Sequence, residues 1–404
     1  MSESLNETWS ESKRQVRLAT GRAWLRANVW WEEKTDMKPV RADDVPPSAE
    51  SLTTEWLTAV LCKSQRDARV ESITLGAASI GSSDRRAFSV AYNAAGQDAG
   101  LPTQLFFKGA KGFGTRYILW SCGIKENEAG FYGKIRPQLT INAPVPYYAK
   151  LDRSSLRLAI VMEDVIATRG AKFFDIDTLI TRELIEQQLD FLATLHGAYW
   201  NSPRLDTEFE WLFTPADYNR RLMAGLGFKP LGMRGLQRAV AVLPQSLRGR
   251  ELEIWRAYVS SMDISSRGPH TYIHGDPHLR NYYMTSEGKV GLADWQVTMK
   301  GSWGYDFAYT LLTSLSIENR RNWEKDLLAF YLDRLKFHGG VPPSFDDAWL
   351  AYRQQTLFTF WGWLVTLGFT SDEAAMQPDD VSLEVINRSG TAVEDLDSIA
   401  MQSR

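Results

Sequence analysis

Two short runs concentrate the residue types that acid–base and metal chemistry require: Tyr272-Ile273-His274-Gly275-Asp276-Pro277-His278-Leu279-Arg280-Asn281 and, a little further on, Gly291-Leu292-Ala293-Asp294-Trp295-Gln296. Transfer of a phosphoryl group to an alcohol needs a carboxylate that orients the hydroxyl and accepts its proton. It also needs oxygen ligands that fix magnesium on the triphosphate where charge develops. Asp276 followed five residues later by Asn281 has the base-to-metal-ligand spacing of such a loop, and Asp294 stands where a second metal carboxylate belongs. Asp276 is therefore the expected catalytic base, and Asn281 and Asp294 the expected magnesium ligands. A single Asp is usually a turn or capping residue; the three together, in order, carry the reading. The same run also contains His274, Asp276 and His278, an imidazole–carboxylate cluster that would suit zinc or iron in a metal-dependent hydrolase. The other histidines, His196, His270 and His338, are scattered singly and in no metal-binding spacing.

These runs resemble the loops of the aminoglycoside phosphotransferase and choline kinase-like superfamily, including its ecdysteroid-kinase-like branch, which read HGDxHxxN followed by DW or DWQ. The resemblance extends over roughly Leu75 to Leu315 and implies an α+β, two-lobed protein-kinase-like fold: a small β-rich N-lobe, a larger helical C-lobe, and ATP between them. It implies the same roles for Asp276, Asn281 and Asp294, makes His274 the brace of the loop, and makes Asp306 the start of the next helix and a support for the site. Arg280 departs from the pattern, which often has Gly before the Asn.

In the first lobe the resemblance implies that Lys108, ending Leu105-Phe106-Phe107-Lys108, contacts the ATP phosphates, with Lys111 as the alternative. Glu128, in Glu128-Ala129-Gly130-Phe131-Tyr132, is expected to pair with it, with Glu126 as the fallback. Gly76 to Ser83 has the small residues that a turn covering phosphates needs, with Ser82 and Ser83 as nucleotide contacts, although its glycine spacing matches neither GxGxxG nor GxxxxGKS. Leu158 to Val165 reads as the strand entering a hinge, where the backbone at Glu163 and Val165 would meet the adenine edge. His196 closes an LAxLH run and is expected to be structural.

The surrounding pattern supplies elements to hold these residues. Arg86–Tyr92 and Leu101–Lys108 bracket a Gly/Asn turn signal, a hairpin pattern. Lys125–Arg136 supports a short helix, and Leu156–Met162 a buried strand. After Val165 helices dominate: Ile185, Leu189, Leu192 and His196 recur at three- and four-residue steps. Two short strands joined at Ser286–Gly288 interrupt them, and helical spacing resumes at Phe307, Leu311 and Leu315. The expected organisation is an N-terminal extension over 1–50, a nucleotide-binding lobe over 51–165, and a catalytic, acceptor-binding lobe over 166–404.

Composition narrows the function classes. Across 404 residues, 46 Lys and Arg stand against 49 Asp and Glu, so no broad positive field for nucleic acid is expected. Cys62 and Cys122 lie in no CxxC or metal spacing, which suits reduced thiols in a cytoplasmic protein. The polar N-terminus is unlike a secretory signal. The greasiest run, Leu357 to Phe369, is roughly half to two-thirds of a bilayer-spanning helix, so no membrane span is expected. The expected cofactors are ATP and magnesium, and the expected partner a small-molecule alcohol. A nucleotide-binding scaffold without catalysis is the alternative in the same fold. Protein kinase activity ranks below both, because no APE-like signature or long activation segment follows Asp294. Trp349, Phe358, Phe360, Trp361 and Trp363 form an aromatic stripe that reads first as core; lining an acceptor pocket, it would suit a flat apolar alcohol.

Overall fold

The computed structural model describes residues 2–35, 37–79, 83–369 and 376–404. Contacts divide the chain into two compact units, Met1–Gly133 with Val145–Asp164, and Lys134–Pro144 with Val165–Arg404. The architecture is α+β, a small antiparallel sheet in the first unit and mostly helix in the second.

The first unit runs α1 (Ser2–Thr35), α2 (Thr54–Leu61), β1 (Val70–Ser79), β2 (Asp84–Tyr92), α3 (Ala94–Asp98), β3 (Gln104–Gly109), α4 (Gly112–Ser121), α5 (Asn127–Gly130), β4 (Pro146–Asp152) and β5 (Arg157–Glu163). Its sheet has the order β1-β2-β3-β5-β4, antiparallel throughout. Side chains alternate between faces with period two. One face sends Phe88, Val90, Leu105, Phe107, Ala159 and Val161 into a core closed by Trp56 and Leu57 of α2. Residue 108, one step from Phe107, falls on the other face. The 1–50 segment, expected as an extension, places Val45 and Ala49 in this core, and the carbonyl of Asp44 accepts from Trp56 Nε1 at 3.0 Å and Tyr148 Oη at 2.9 Å. Helix α1 is joined to α4 by a buried ion pair, Arg116 Nη2 to Glu32 Oε2 at 2.6 Å. The β2–β3 hairpin forms as expected, its connection holding the short α3, which Asn93 caps through Gly96 N.

The second unit runs α6 (Val165–Arg169), β6 (Lys172–Phe173), α7 (Arg182–Ala198), α8 (Pro215–Leu226), α9 (Phe228–Arg238), α10 (Glu251–Ser265), β7 (Thr271–Ile273), β8 (Tyr282–Met284), β9 (Val290–Leu292), β10 (Met299–Gly301), α11 (Trp303–Ser314), α12 (Ile317–Phe337), α13 (Phe345–Gly368) and α14 (Asp379–Asp395). Helix α13 packs against α9, α10, α11 and α14, and its Leu357, Phe360, Trp361 and Leu364 are buried. Helix α9 comes so close that a Cβ on Gly235 would lie 1.9 Å from the Leu364 carbonyl oxygen, so the contact requires glycine. No helix among the described residues is long and apolar enough to cross a membrane. Two small sheets, β7 with β10 and β6-β8-β9, set the ends of the loop that carries Asp276.

Candidate active site

The loop leaves β7 at Ile273 and returns through a one-turn helix at Leu279–Asn281 into β8. Its entry is pinned by Asp306, fully buried in the first turn of α11. One Asp306 oxygen accepts from His274 N at 2.6 Å and the other from Gly275 N at 2.9 Å. His196 Nε2 donates to Asp306 Oδ2 at 3.1 Å, while Tyr331 bonds the other ring nitrogen at 2.7 Å. Three donors thus compensate a carboxylate removed from water, which would otherwise be very costly. Gly275 has φ +84°, and a Cβ there would lie 2.2 Å from the Val297 carbonyl oxygen; only glycine makes this turn without strain.

His274 braces the loop internally. Its Nδ1 accepts from Asp276 N at 3.2 Å, which fixes the proton on Nε2, and Nε2–H donates to the Ala293 carbonyl at 3.0 Å. Both ring nitrogens are therefore committed to backbone, which argues against the metal-hydrolase alternative: this imidazole has no lone pair left for a metal. Among the described residues no three His, Cys, Asp or Glu side chains group as a metal site. His278 is buried, and desolvation pushes its imidazole down to about 3, so the ring is neutral. Its Nε2 lies 3.8 Å from Asp276 Oδ2, and Nδ1 has no hydrogen-bond partner among the described residues.

Asp276 keeps 27% of its side chain exposed, and its Oδ1 accepts from the Tyr309 hydroxyl at 2.8 Å. Asn281 closes the loop on itself: Nδ2 donates to the Asp276 carbonyl at 2.9 Å and its own carbonyl accepts from Ala293 N at 3.0 Å. That last bond sets Asp294, the next residue, beside Asn281. Asp294 has φ +61°, a left-handed conformation that Asp tolerates better than most residues. The amide orientation leaves Asn281 Oδ1 accepting no hydrogen bond among the described residues. A neutral amide oxygen beside a carboxylate is a hard-oxygen pair of the kind magnesium takes, so the donor chemistry fits that ion. Arg280, the departure from the family pattern, turns to Asp175, with Nε 3.2 Å from Oδ1, and to Gln377.

In the first unit Lys108 Nζ donates to Glu128 Oε1 at 2.8 Å, and both side chains are buried. Glu126 bonds Arg153 instead, at 2.7 Å, and the half-exposed Lys111 bonds Glu50 at 3.1 Å. Glu128 reaches Lys108 from α5, where the helix expected over Lys125–Arg136 is a single α turn running into a wider turn at Phe131–Ile135. The small-residue segment differs from expectation in one respect. Gly76 lies within β1, where the ladder slips between Leu75 and Ala78, and the strand continues to Ser79. Ser82 lies outside the described residues. Ser83 Oγ accepts from Arg85 Nε at 2.9 Å, and Arg85 is opposite Lys108 in the ladder.

Glu163 ends β5. Its N–H donates to the Val145 carbonyl at 2.8 Å and its Oε2 accepts from Val145 N at 3.2 Å. Val165 opens α6, and its carbonyl accepts from Ala171 N at 3.1 Å. The boundary between the two units falls between Asp164 and Val165.

Sequence reasoning missed Tyr309, Thr310 and Thr313. Helical periodicity could have found them, because they stand three, four and seven residues beyond Asp306 on the same helix. Trp363, whose ring meets His278 edge-on at 5.7 Å, belongs to the stripe read as core, and it is indeed buried.

Comparison with known proteins identifies the framework. No curated protein matches the chain in sequence. Among solved structures it is similar to the choline kinase LicA from Streptococcus pneumoniae, at 15% identity over 81% of this chain and 94% of that one, with a TM-score of 0.45. It is similar also to the macrolide 2'-phosphotransferase MphH from Brachybacterium faecium, at 14% identity, 82% and 98% coverage and a TM-score of 0.43. The aminoglycoside 2'-phosphotransferase-IIIa, solved as a GDP complex, gives 14%, 84% and 99%, and 0.46. The model of the phosphotransferase enzyme family matches residues 116–346. With more than half of the chain matched, including Glu128, the 274–281 loop, Asp294 and Asp306, the chain belongs to the phosphotransferase enzyme family.

Proposed function

We propose that the chain transfers the terminal phosphoryl group of ATP, bound with magnesium, to a hydroxyl group of a small molecule. The observation that carries this reading is the grouping of Asp276, Asn281 and Asp294 by one hydrogen-bonded loop and hairpin. Bound magnesium and ATP would supply the electrophilic phosphorus and neutralise the charge that develops on its oxygens. Asn281 Oδ1 and the Asp294 carboxylate would hold the metal. Asp276 would orient the acceptor hydroxyl and take its proton as the oxygen attacks phosphorus and the bond to the departing ADP breaks. Lys108, held in place by Glu128, would contact the phosphates, as would Ser82 and Ser83. The backbone at Glu163 and Val165 would meet the adenine edge.

Such a site works by positioning and electrostatics rather than by a covalent intermediate. Its test is a thermal-shift titration with MgATP on wild type and Asp294→Ala, followed by transfer of labelled phosphate to a panel of alcohols. A ligand that binds only the native state raises stability as RT ln(1 + [L]/Kd). Wild type should shift in a magnesium-dependent way and Asp294→Ala should not. Wild type that shows no shift sinks the reading. Asp276→Asn that keeps the shift and loses transfer separates the enzyme from a nucleotide-binding scaffold, in which that substitution would change nothing.

A further inference from the structure

Helix α11 touches the catalytic loop at four successive points. Asp306 accepts from His274 N and Gly275 N; Tyr309 Oη donates to Asp276 Oδ1; Thr310 Oγ1 donates to the Pro277 carbonyl at 3.2 Å; and Thr313 Oγ1 accepts from Leu279 N at 3.2 Å. Residues at i, i+3, i+4 and i+7 share one helix face, so the loop lies along α11. Three of the four residues hold backbone. Tyr309 alone of the four holds a side chain of the loop, the carboxylate of Asp276.

We propose that Tyr309 is the positioning residue of the phosphotransfer step: it fastens Asp276 Oδ1 so that Oδ2 is presented to the acceptor hydroxyl. This rests on the phosphotransferase reading above. Rotation of a carboxylate about its terminal bond is nearly free, with two broad equivalent wells, so an unfastened Asp276 would present its basic lone pairs in many directions. A 2.8 Å bond from a buried phenol removes that freedom. The phenol is itself fixed. Tyr309 is buried, its ring packs against Phe358 at 5.5 Å, and the hydroxyl interacts with the buried Trp363 indole N–H. Burial, with the negative charge of Asp276, holds the phenol well above its ordinary range, so it remains a proton donor at working pH. A lysine in its place would neutralise the base and weaken it; a neutral hydroxyl fastens Asp276 and leaves its charge.

The experiment compares wild type, Tyr309→Phe, Asp276→Asn, the double variant and Phe358→Leu, with MgATP as donor and water as acceptor. Tyr309→Phe keeps the ring and its packing and removes only the hydroxyl. It should lower turnover by about tenfold or more, as loss of a hydrogen bond to a charged group does, with the MgATP KM within about twofold of wild type. In the Asp276→Asn background the same substitution should cost nothing more, because the carboxylate it orients is gone. Phe358→Leu, which loosens the ring and keeps the hydroxyl, should lose less turnover than Tyr309→Phe. The proposal is overturned by Tyr309→Phe with wild-type turnover, by an equal loss in the Asp276→Asn background, or by a loss matched in MgATP KM. Wild type that does not turn over MgATP overturns the phosphotransferase reading itself, before any Tyr309 variant is compared.

Discussion

The two units carry their functional charge in opposite ways. In the first, Lys108 and Glu128 are buried to within a few percent, 6% and 3% of their side chains exposed, and each is the other's counter-ion at 2.8 Å. In the second, Asp276 keeps 27% of its side chain exposed; it accepts from the neutral hydroxyl of Tyr309, and the imidazole 3.8 Å away is neutral because it is buried. A buried ion pair holds an ammonium at a fixed place, and its cost when broken is that of an uncompensated charge. A carboxylate that must accept a proton needs its negative charge unspent. Asp306 makes the contrast within the second unit. Holding the same loop from α11, fully buried and bonded to three donors, it has the surroundings of a structural carboxylate.

That comparison breaks first at the proposed base. Asp276→Asn removes the proposed proton acceptor while keeping a group that can bond Tyr309, so phosphate transfer should fall about 10³-fold, within the range for general-base loss, with the unfolding midpoint nearly unchanged. A large loss of stability instead would make Asp276 structural, like Asp306. Next comes the ion pair. Glu128→Ala takes the carboxylate at 2.8 Å away from a buried ammonium, and urea unfolding should show a loss of about 3–5 kcal/mol. A loss below about 1 kcal/mol, the scale of a surface pair, would mean that Lys108 reaches water when its partner is gone.

Much of this was legible before any coordinates. The order and spacing of Asp276, Asn281 and Asp294, the hairpin turning at Ser286–Gly288, the buried stripe Ile185, Leu189, Leu192 and His196, and the Lys108–Glu128 pairing all depend on local pattern or on a motif quoted whole. What escaped depends on contacts between distant segments. Nothing local to Glu32 announces Arg116, its partner 84 residues on, and nothing local to Asn142 announces that its amide bonds the Lys289 and Val290 carbonyls and steadies the hairpin before Asp294. The bulge in β1 escaped for a different reason. Gly76 reads as turn chemistry, yet it serves a close approach of two strands, where a Cβ would lie 2.9 Å from the Ala87 carbonyl oxygen. Composition does not distinguish these two uses of glycine.

A third substitution tests the loop rather than its charge. Gly275→Ala puts a methyl 2.2 Å from the Val297 carbonyl oxygen at a φ of +84°, so the backbone must move, at a cost of about 1–3 kcal/mol of strain. Because Gly275 N is held by Asp306 and Asp276 is the next residue, transfer should fall together with stability, unlike the Asp276→Asn case. Activity that survived the loss of stability would mean that the position of Asp276 is set from α11 and not by the turn.

The smallest effect sharpens the comparison most. Glu126 and Glu128 are two residues apart, each bonded to one cation at nearly the same distance, 2.7 Å to Arg153 and 2.8 Å to Lys108. They differ in surroundings: Arg153 is 73% exposed and Lys108 6%. In water the attraction is screened and the freed arginine is solvated at once, so Glu126→Ala should cost less than about 1 kcal/mol and leave MgATP binding as it was. The same truncation at Glu128 should cost several times more and weaken that binding, because the lysine it holds cannot be rehydrated without opening the face of the sheet. If the two variants unfolded at the same urea concentration, the geometry of the bond and not its burial would set its strength, and the contrast between the buried pair and the partly exposed Asp276 would lose its physical ground.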